Sequence, residues 1–304
     1  MERAGAQWMD YRDDDPTVLI FGDTETGIAA ARETAVAHGT RIVAALPIAD
    51  AAERLDSQIA VDIVIVDVTV DHGRLLDQLL RRIEYGASND RFAGIVAIAP
   101  ELIDVSAAQI EHPHISLMVS PDRQALSDAV GDRLLRPQLQ FREEGPEMLP
   151  MRLPVVGGRE DHGHAASGQG EIAADFSDVP ESFTALADGM RNLDPAVIRG
   201  IIRARRLRNE FFGGGLFADP AWDILLDLMV AKVEQRSVAV SSLCIAAAVP
   251  ATTALRWIKQ LTDMGLLRRV ADPQDGRRVF IELSDAASER LMAYFNALIR
   301  GRQN

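Results

Sequence analysis

The sequence predicts two folded parts of different class: an α/β domain on a doubly wound parallel sheet, then a mainly α domain with a single β-hairpin. Three observations carry this. Over 17–136, short apolar runs rich in β-branched residues alternate with helix-patterned stretches. Over 181–304, helical patterns dominate and are broken once by Leu266–Leu283, which reads as two strands around an Asp/Pro/Gly turn. Between them, 137–180 shows neither pattern and holds 11 Gly and Pro in 44 residues.

The five runs of the first domain are TVLIF (17–21), TRIVAAL (40–46), DIVIVDV (62–68), GIVAIA (94–99) and ISLMVS (115–120). Near-continuous apolar strands of this kind are covered on both faces, as happens when helical crossovers flank a parallel sheet. The segments between them supply such helices: GIAAARETAVAHG, ADAAERLDSQI, GRLLDQLLRRIEYG, a weaker stretch near 101–111, and RQALSDAVGDRLL after the last run. Five strands alternating with helices predict a flavodoxin-like arrangement. The composition of 137–180 cannot bury enough surface to offset ordering entropy, so a flexible linker is expected there.

In the third region Asp194-Pro195 starts a helix that GGG at 213–215 ends. A second helix follows Asp219-Pro220, from about 222 to 235. SVAV (237–240) fits a short strand, followed by SSLCIAAAV, PATTALRWIKQLTDMG, the hairpin, and a last helix from Ser284 to Arg300.

The net charge of −13 is unevenly spread. Residues 195–304 hold 16 Lys and Arg against 11 Asp and Glu, or +5; the remainder holds 16 against 34, or −18. A basic part beside an acidic one suggests nucleic-acid contact by the basic part. The single cysteine, Cys244, excludes a disulfide framework and reads as a small buried hydrophobe. No run approaches a membrane span, and the N-terminal stretch is too charged for a secretory signal, so a cytoplasmic location is expected. Paired histidines in EHPH (111–114) and DHGH (161–164) lack a full ligand set, so no metal site is expected. No nucleophile elbow, HExxH or Gly-Lys-Ser/Thr appears, so no enzyme is expected.

The order of the third region is that of a winged helix-turn-helix, whose second helix enters the major groove. Ala254, Trp257, Ile258 and Leu261 have the spacing of a buried stripe, leaving Thr252, Thr253, Arg256 and Lys259 opposite. Hydroxyls and cations suit bases and phosphates, although the same four also fit an ordinary solvated face. The hairpin tip would bring Arg277 and Arg278 to the minor groove or its phosphates. Asp275 and Gly276 shape the turn, with Asp275 pairing a nearby arginine or capping it. Leu261, Gly265, Leu266, Leu267, Asp275, Arg277, Leu283 and Ser284, in that order, give the stretch a pattern that resembles the DNA-binding lobe of MarR-type regulators over about 220–290. The resemblance implies a homodimer held by the terminal helices, 195–212 and 285–300, and double-stranded DNA as partner. It leaves the N-terminal domain unexplained.

That domain resembles a response-regulator receiver. Asp23 follows the first strand and Asp67 closes the third, the places of a metal-holding acid and a phospho-accepting aspartate. The receiver's Ser/Thr after strand four is replaced by VAIAP, and its Lys-Pro after strand five by Ser120-Pro121. The expectation is a receiver-like domain without phosphoryl switching, serving a dimer or a protein partner, with Mg²⁺ relevant only if Asp67 works as acceptor. GDTETG (22–27) also fits a flavin-phosphate loop, but its acids would oppose the phosphate. The alternative for the whole chain is a phosphorylation-dependent response regulator, or a docking module whose winged helix binds protein.

Overall fold

The computed structural model describes residues 15–57, 60–135, 194–212 and 218–301. The expected linker at 137–180, the DHGH stretch and the GGG helix stop lie outside the described residues.

The N-terminal domain is a five-stranded parallel sheet in the order β2-β1-β3-β4-β5. Its strands are β1 (Thr17–Gly22), β2 (Arg41–Pro47), β3 (Ile63–Val68), β4 (Ala93–Ile98) and β5 (Ile115–Val119). Their connections are α1 (Glu25–Ala37), α2 (Ala51–Ser57), α3 (Arg74–Ser88) and α4 (Ile103–Ala107), with α5 (Arg123–Leu135) after β5. This is the flavodoxin-like order. The weak helix expected near 101–111 is a 3-10 turn at Pro100–Leu102 followed by the five-residue α4.

Alternation along the strands builds two cores. Val18, Ile20, Ile63, Ile65, Ile95 and Met118 meet residues of α1 and α5 on one face. Leu19, Phe21, Val64, Val66 and Val96 meet Leu76, Leu79, Leu80 and Ile83 of α3 on the other. Helix α1 starts where the Thr24 hydroxyl accepts from the Gly27 N–H at 3.0 Å, satisfying a donor that the helix cannot.

The C-terminal region contains α6 (Pro195–Phe212), α7 (Pro220–Val233), β6 (Val238–Ala239), α8 (Val240–Ala246), α9 (Ala251–Asp263), β7 (Leu267–Ala271), β8 (Val279–Leu283) and α10 (Asp285–Gly301). Asp219 caps α7 by accepting from Trp222 N–H at 3.2 Å, with Pro220 in the first turn where its missing N–H costs nothing. The strands form a small antiparallel sheet, β6-β8-β7, in which Arg268 and Glu282 are register partners and pair at 2.7 Å.

Helix α9 ends in a built stop. Gly265 takes φ +69°, its N–H reaches Thr262 O, and Leu266 N–H reaches Leu261 O, each at 2.9 Å. That pair of bonds is a Schellman closure, which favours glycine at the left-handed position. The glycine of the Leu-x-x-x-Gly-Leu pattern therefore turns the chain from α9 into the wing. In the expected stripe, Ala254, Ile258 and Leu261 are buried, but Leu255 is the fourth buried member and Trp257 only half-buried at the edge of the core.

Candidate nucleic-acid interface

Helices α8 and α9 are joined by the four residues 247–250 and bend by 108° relative to each other. This is the geometry of a helix-turn-helix, and the hairpin β7–β8 follows as the wing. Among the described residues, no single helix is long and apolar enough to cross a membrane.

The six expected contact residues fall into two groups. Thr253 and Arg256 are exposed on α9, and Arg256 has no hydrogen-bond or ion-pair partner among the described residues. Lys259 pairs with Asp263 one turn on, at 3.0 Å, a surface contact of small energy. Arg278 lies 3.6 Å from Asp275. Thr252 and Arg277 instead contact the N-terminal domain. The Thr252 hydroxyl accepts the Val119 N–H of edge strand β5 at 2.9 Å. Arg277 donates to both oxygens of Asp71, at 2.7 and 2.9 Å, and to Asp77 at 2.9 Å. Two of the six thus hold partners in the N-terminal domain in this fold.

Asp275 organises the wing tip. Its carboxylate accepts the Arg277 N–H at 3.0 Å, and its carbonyl accepts Arg278 N–H at 3.0 Å. Gly276 has open space around a would-be Cβ and no left-handed φ, so nothing in the turn requires glycine there.

Residues that sequence reasoning missed complete the contact. Asp104 of α4 receives the Ser241 N–H at 2.8 Å and the Ser241 hydroxyl at 2.7 Å. Helix α8 has Ala239 at its own cap position, without a side-chain acceptor, so the N-terminal domain supplies the missing cap. Arg269 donates to the Ala107 carbonyl and pairs with Glu111 at 3.0 Å. The opposite charges of the two parts are the signal that was present: −18 and +5 on one chain attract each other.

The Asp23–Asp67 pair is differently built. The Asp23 side chain is only 2% exposed, and its Oδ2 accepts from Thr69 N–H (2.8 Å), the Thr69 hydroxyl (3.1 Å), Val70 N–H (3.0 Å) and His72 Nε2 (3.1 Å). Burial pushes its carboxyl up, but those bonds outweigh it and hold it below the ordinary value. Burial, and then the Asp23 charge, raise Asp67. The Asp67 carboxylate lies against the first turn of α1, where a Cβ on Gly27 would fall 2.4 Å from Oδ1. A phosphate in GDTETG would meet this carboxylate. Asp23 Oδ2 holds four donors while its Oδ1 is buried without a hydrogen-bond partner, and no group of three His, Cys, Asp or Glu side chains among the described residues is arranged to hold a metal. Of EHPH, His112 Nδ1 accepts His114 N–H at 3.3 Å, and His114 pairs with Asp90 at 3.4 Å. Cys244 is buried, its thiol pushed up to about 12 by burial and then by the nearby Asp104 charge; such a thiol is unreactive.

Residues 223–287 match the family described as winged helix DNA-binding domain. No curated protein sequence matches the chain. Among solved structures, a MepR mutant of S. aureus is 17% identical, the match covering 36% of this chain and 74% of that one at a TM-score of 0.25. A MarR/EmrR family transcriptional regulator from Acinetobacter sp. ADP1 is 18% identical, covering 40% of this chain and 75% of that one at 0.23. A de novo designed Rossmann 2x3 protein is 16% identical, covering 42% of this chain and 98% of that one at 0.29. Likenesses at this level leave the function to the residues themselves.

Proposed function

We propose that this chain is a cytoplasmic, non-enzymatic transcription regulator that binds duplex DNA through its winged helix. In this reading α9 lies in the major groove, with Thr252, Thr253 and Arg256 toward base edges and Lys259 toward phosphate, while Arg277 and Arg278 of the wing flank it. The observation that carries it is the 108° helix pair followed by an arginine-tipped hairpin, on a segment that matches the winged helix family. The chain acts as a homodimer through α6 and α10; Val197, Leu207 and Phe211 of α6 and Tyr294 and Leu298 of α10 are exposed apolar side chains that support this.

Fluorescence anisotropy on duplex DNA tests the proposal, with wild type beside Arg256→Ala. Arg256→Ala is expected to weaken binding by about 1–3 kcal/mol if the side chain reads a base. Unchanged affinity in that variant, or no binding by either protein at low salt, contradicts the proposal.

The N-terminal domain serves this regulator without phosphoryl transfer. The four donors already held by Asp23 Oδ2, and Ser120-Pro121 in place of a lysine, support that reading. Incubation with acetyl phosphate and Mg²⁺ should therefore add no phosphoryl mass at Asp67; an Asp67-dependent gain contradicts it. A second reading, in which the winged helix docks protein, is favoured by one observation, the grip of Asp71 on Arg277. A DNA binder loses affinity steeply with salt, in proportion to the phosphates it neutralises; a duplex affinity independent of salt would favour the docking reading.

A further inference from the structure

The face assigned to DNA is partly occupied by the chain's own acidic domain, and at Arg277 the occupying groups are carboxylates that take donors a phosphate could take. The Asp71 carboxylate takes the Arg277 fork with two bonds, and Asp77 adds a third. Guanidinium forks bind carboxylate and phosphate with the same bidentate geometry. The Asp104 carboxylate takes the N–H and hydroxyl of Ser241 at the start of α8. Thr252, the second residue of α9, lies on the free edge of β5. A recognition helix presents its N-terminal residues to base edges, so a duplex would need the place that β5 fills.

The contact is more than a few ion pairs. Buried apolar residues of both domains form one continuous cluster, and Asp77 is only 10% exposed beneath Arg277 and Gln109, both of which donate to its Oδ1. Asp71 belongs to the segment after β3 that Asp23 fixes through Thr69, Val70 and His72. Its position is therefore set by the receiver-like core rather than by a free loop. Thr253 and Arg256 remain exposed, so the cover is selective.

We infer that the face formed by Asp71, Asp77 and Asp104 is a built-in substitute for a duplex backbone: the fold described here is a closed state, and DNA binding requires the N-terminal domain to leave the winged helix. The inference rests on the DNA-binding reading above. Its test titrates a random-sequence duplex pool at low salt into three full-length proteins. These are wild type, the variant Asp71→Asn/Asp77→Asn/Asp104→Asn, and a charge-matched control, Asp50→Asn/Glu53→Gln/Asp132→Asn, whose carboxylates are exposed elsewhere on the same domain.

Opening predicts that the first variant binds about tenfold tighter than wild type and the control, about 1.4 kcal/mol. An equal gain in the control reduces the effect to net charge and overturns the inference. Wild-type binding with no gain in the first variant also overturns it, while leaving the DNA-binding reading intact. No binding by any of the three overturns both. Asp71→Asn alone removes an exposed carboxylate, and a smaller gain in the same direction keeps the test decisive if the triple variant fails to fold; no gain there counts against closure.

Discussion

Gly27 shows how a single residue is set by a partner distant in sequence. A methyl group at this position would overlap the Asp67 carboxylate at 2.4 Å. Gly27→Ala is therefore expected to destabilise the fold by about 1–3 kcal/mol, as overpacking does. Most of that loss should vanish when Asp67 is also alanine, because the two changes share one contact; urea unfolding of the four proteins of the cycle measures it. Asp67 itself gives a pH prediction. Its carboxyl is raised in the fold, by burial first and the Asp23 charge second, so stability is lost as pH rises from the unfolded value through the folded one. Asp67→Asn should stabilise the protein above that window, and the gain should vanish below an ordinary aspartate value of about 3.9. A stability difference that does not change with pH would contradict this. The sequence placed Asp67 at the end of β3, but not what it faces: the register Asp67↔Gly22 and the entry of α1 become visible only when the strands are paired.

Among the elements, strands and long helices were legible because each carries its own periodic signal. The apolar runs gave five strands, and the observed bounds of β1 and β3 differ from those runs by a residue at one end. Helix α4 was poorly legible because five residues show little more than one turn. The core stripe of α9 was misread at Trp257, since spacing alone cannot tell a residue at the stripe's edge from its centre; Leu255 lies under the helix instead. Helix α8 could not be understood alone, because its cap belongs to the other domain. Asp104→Ala should therefore destabilise the docked protein by about 0.5–2 kcal/mol, the usual value of a lost N-cap. An unchanged urea midpoint would show that Ser241 finds another acceptor at no cost.

At the scale of the whole molecule, the sequence made the class of both halves readable but not their juxtaposition. The candidate site was legible as residue types on a helix and a wing. The occupation of Thr252 and Arg277 was not, because contacts between positions 119 and 252, or 71 and 277, leave no local pattern. The charge division was the one global clue; under the proposed function it means that an acidic domain competes for the cations a duplex would use. Hydrogen exchange of the full-length protein, with and without bound duplex, tests this competition most directly. If one face serves both partners, DNA should protect amides at 251–259 while amides at 69–77 and Val119 exchange faster. Protection of the first set with no change, or added protection, in the second would contradict it.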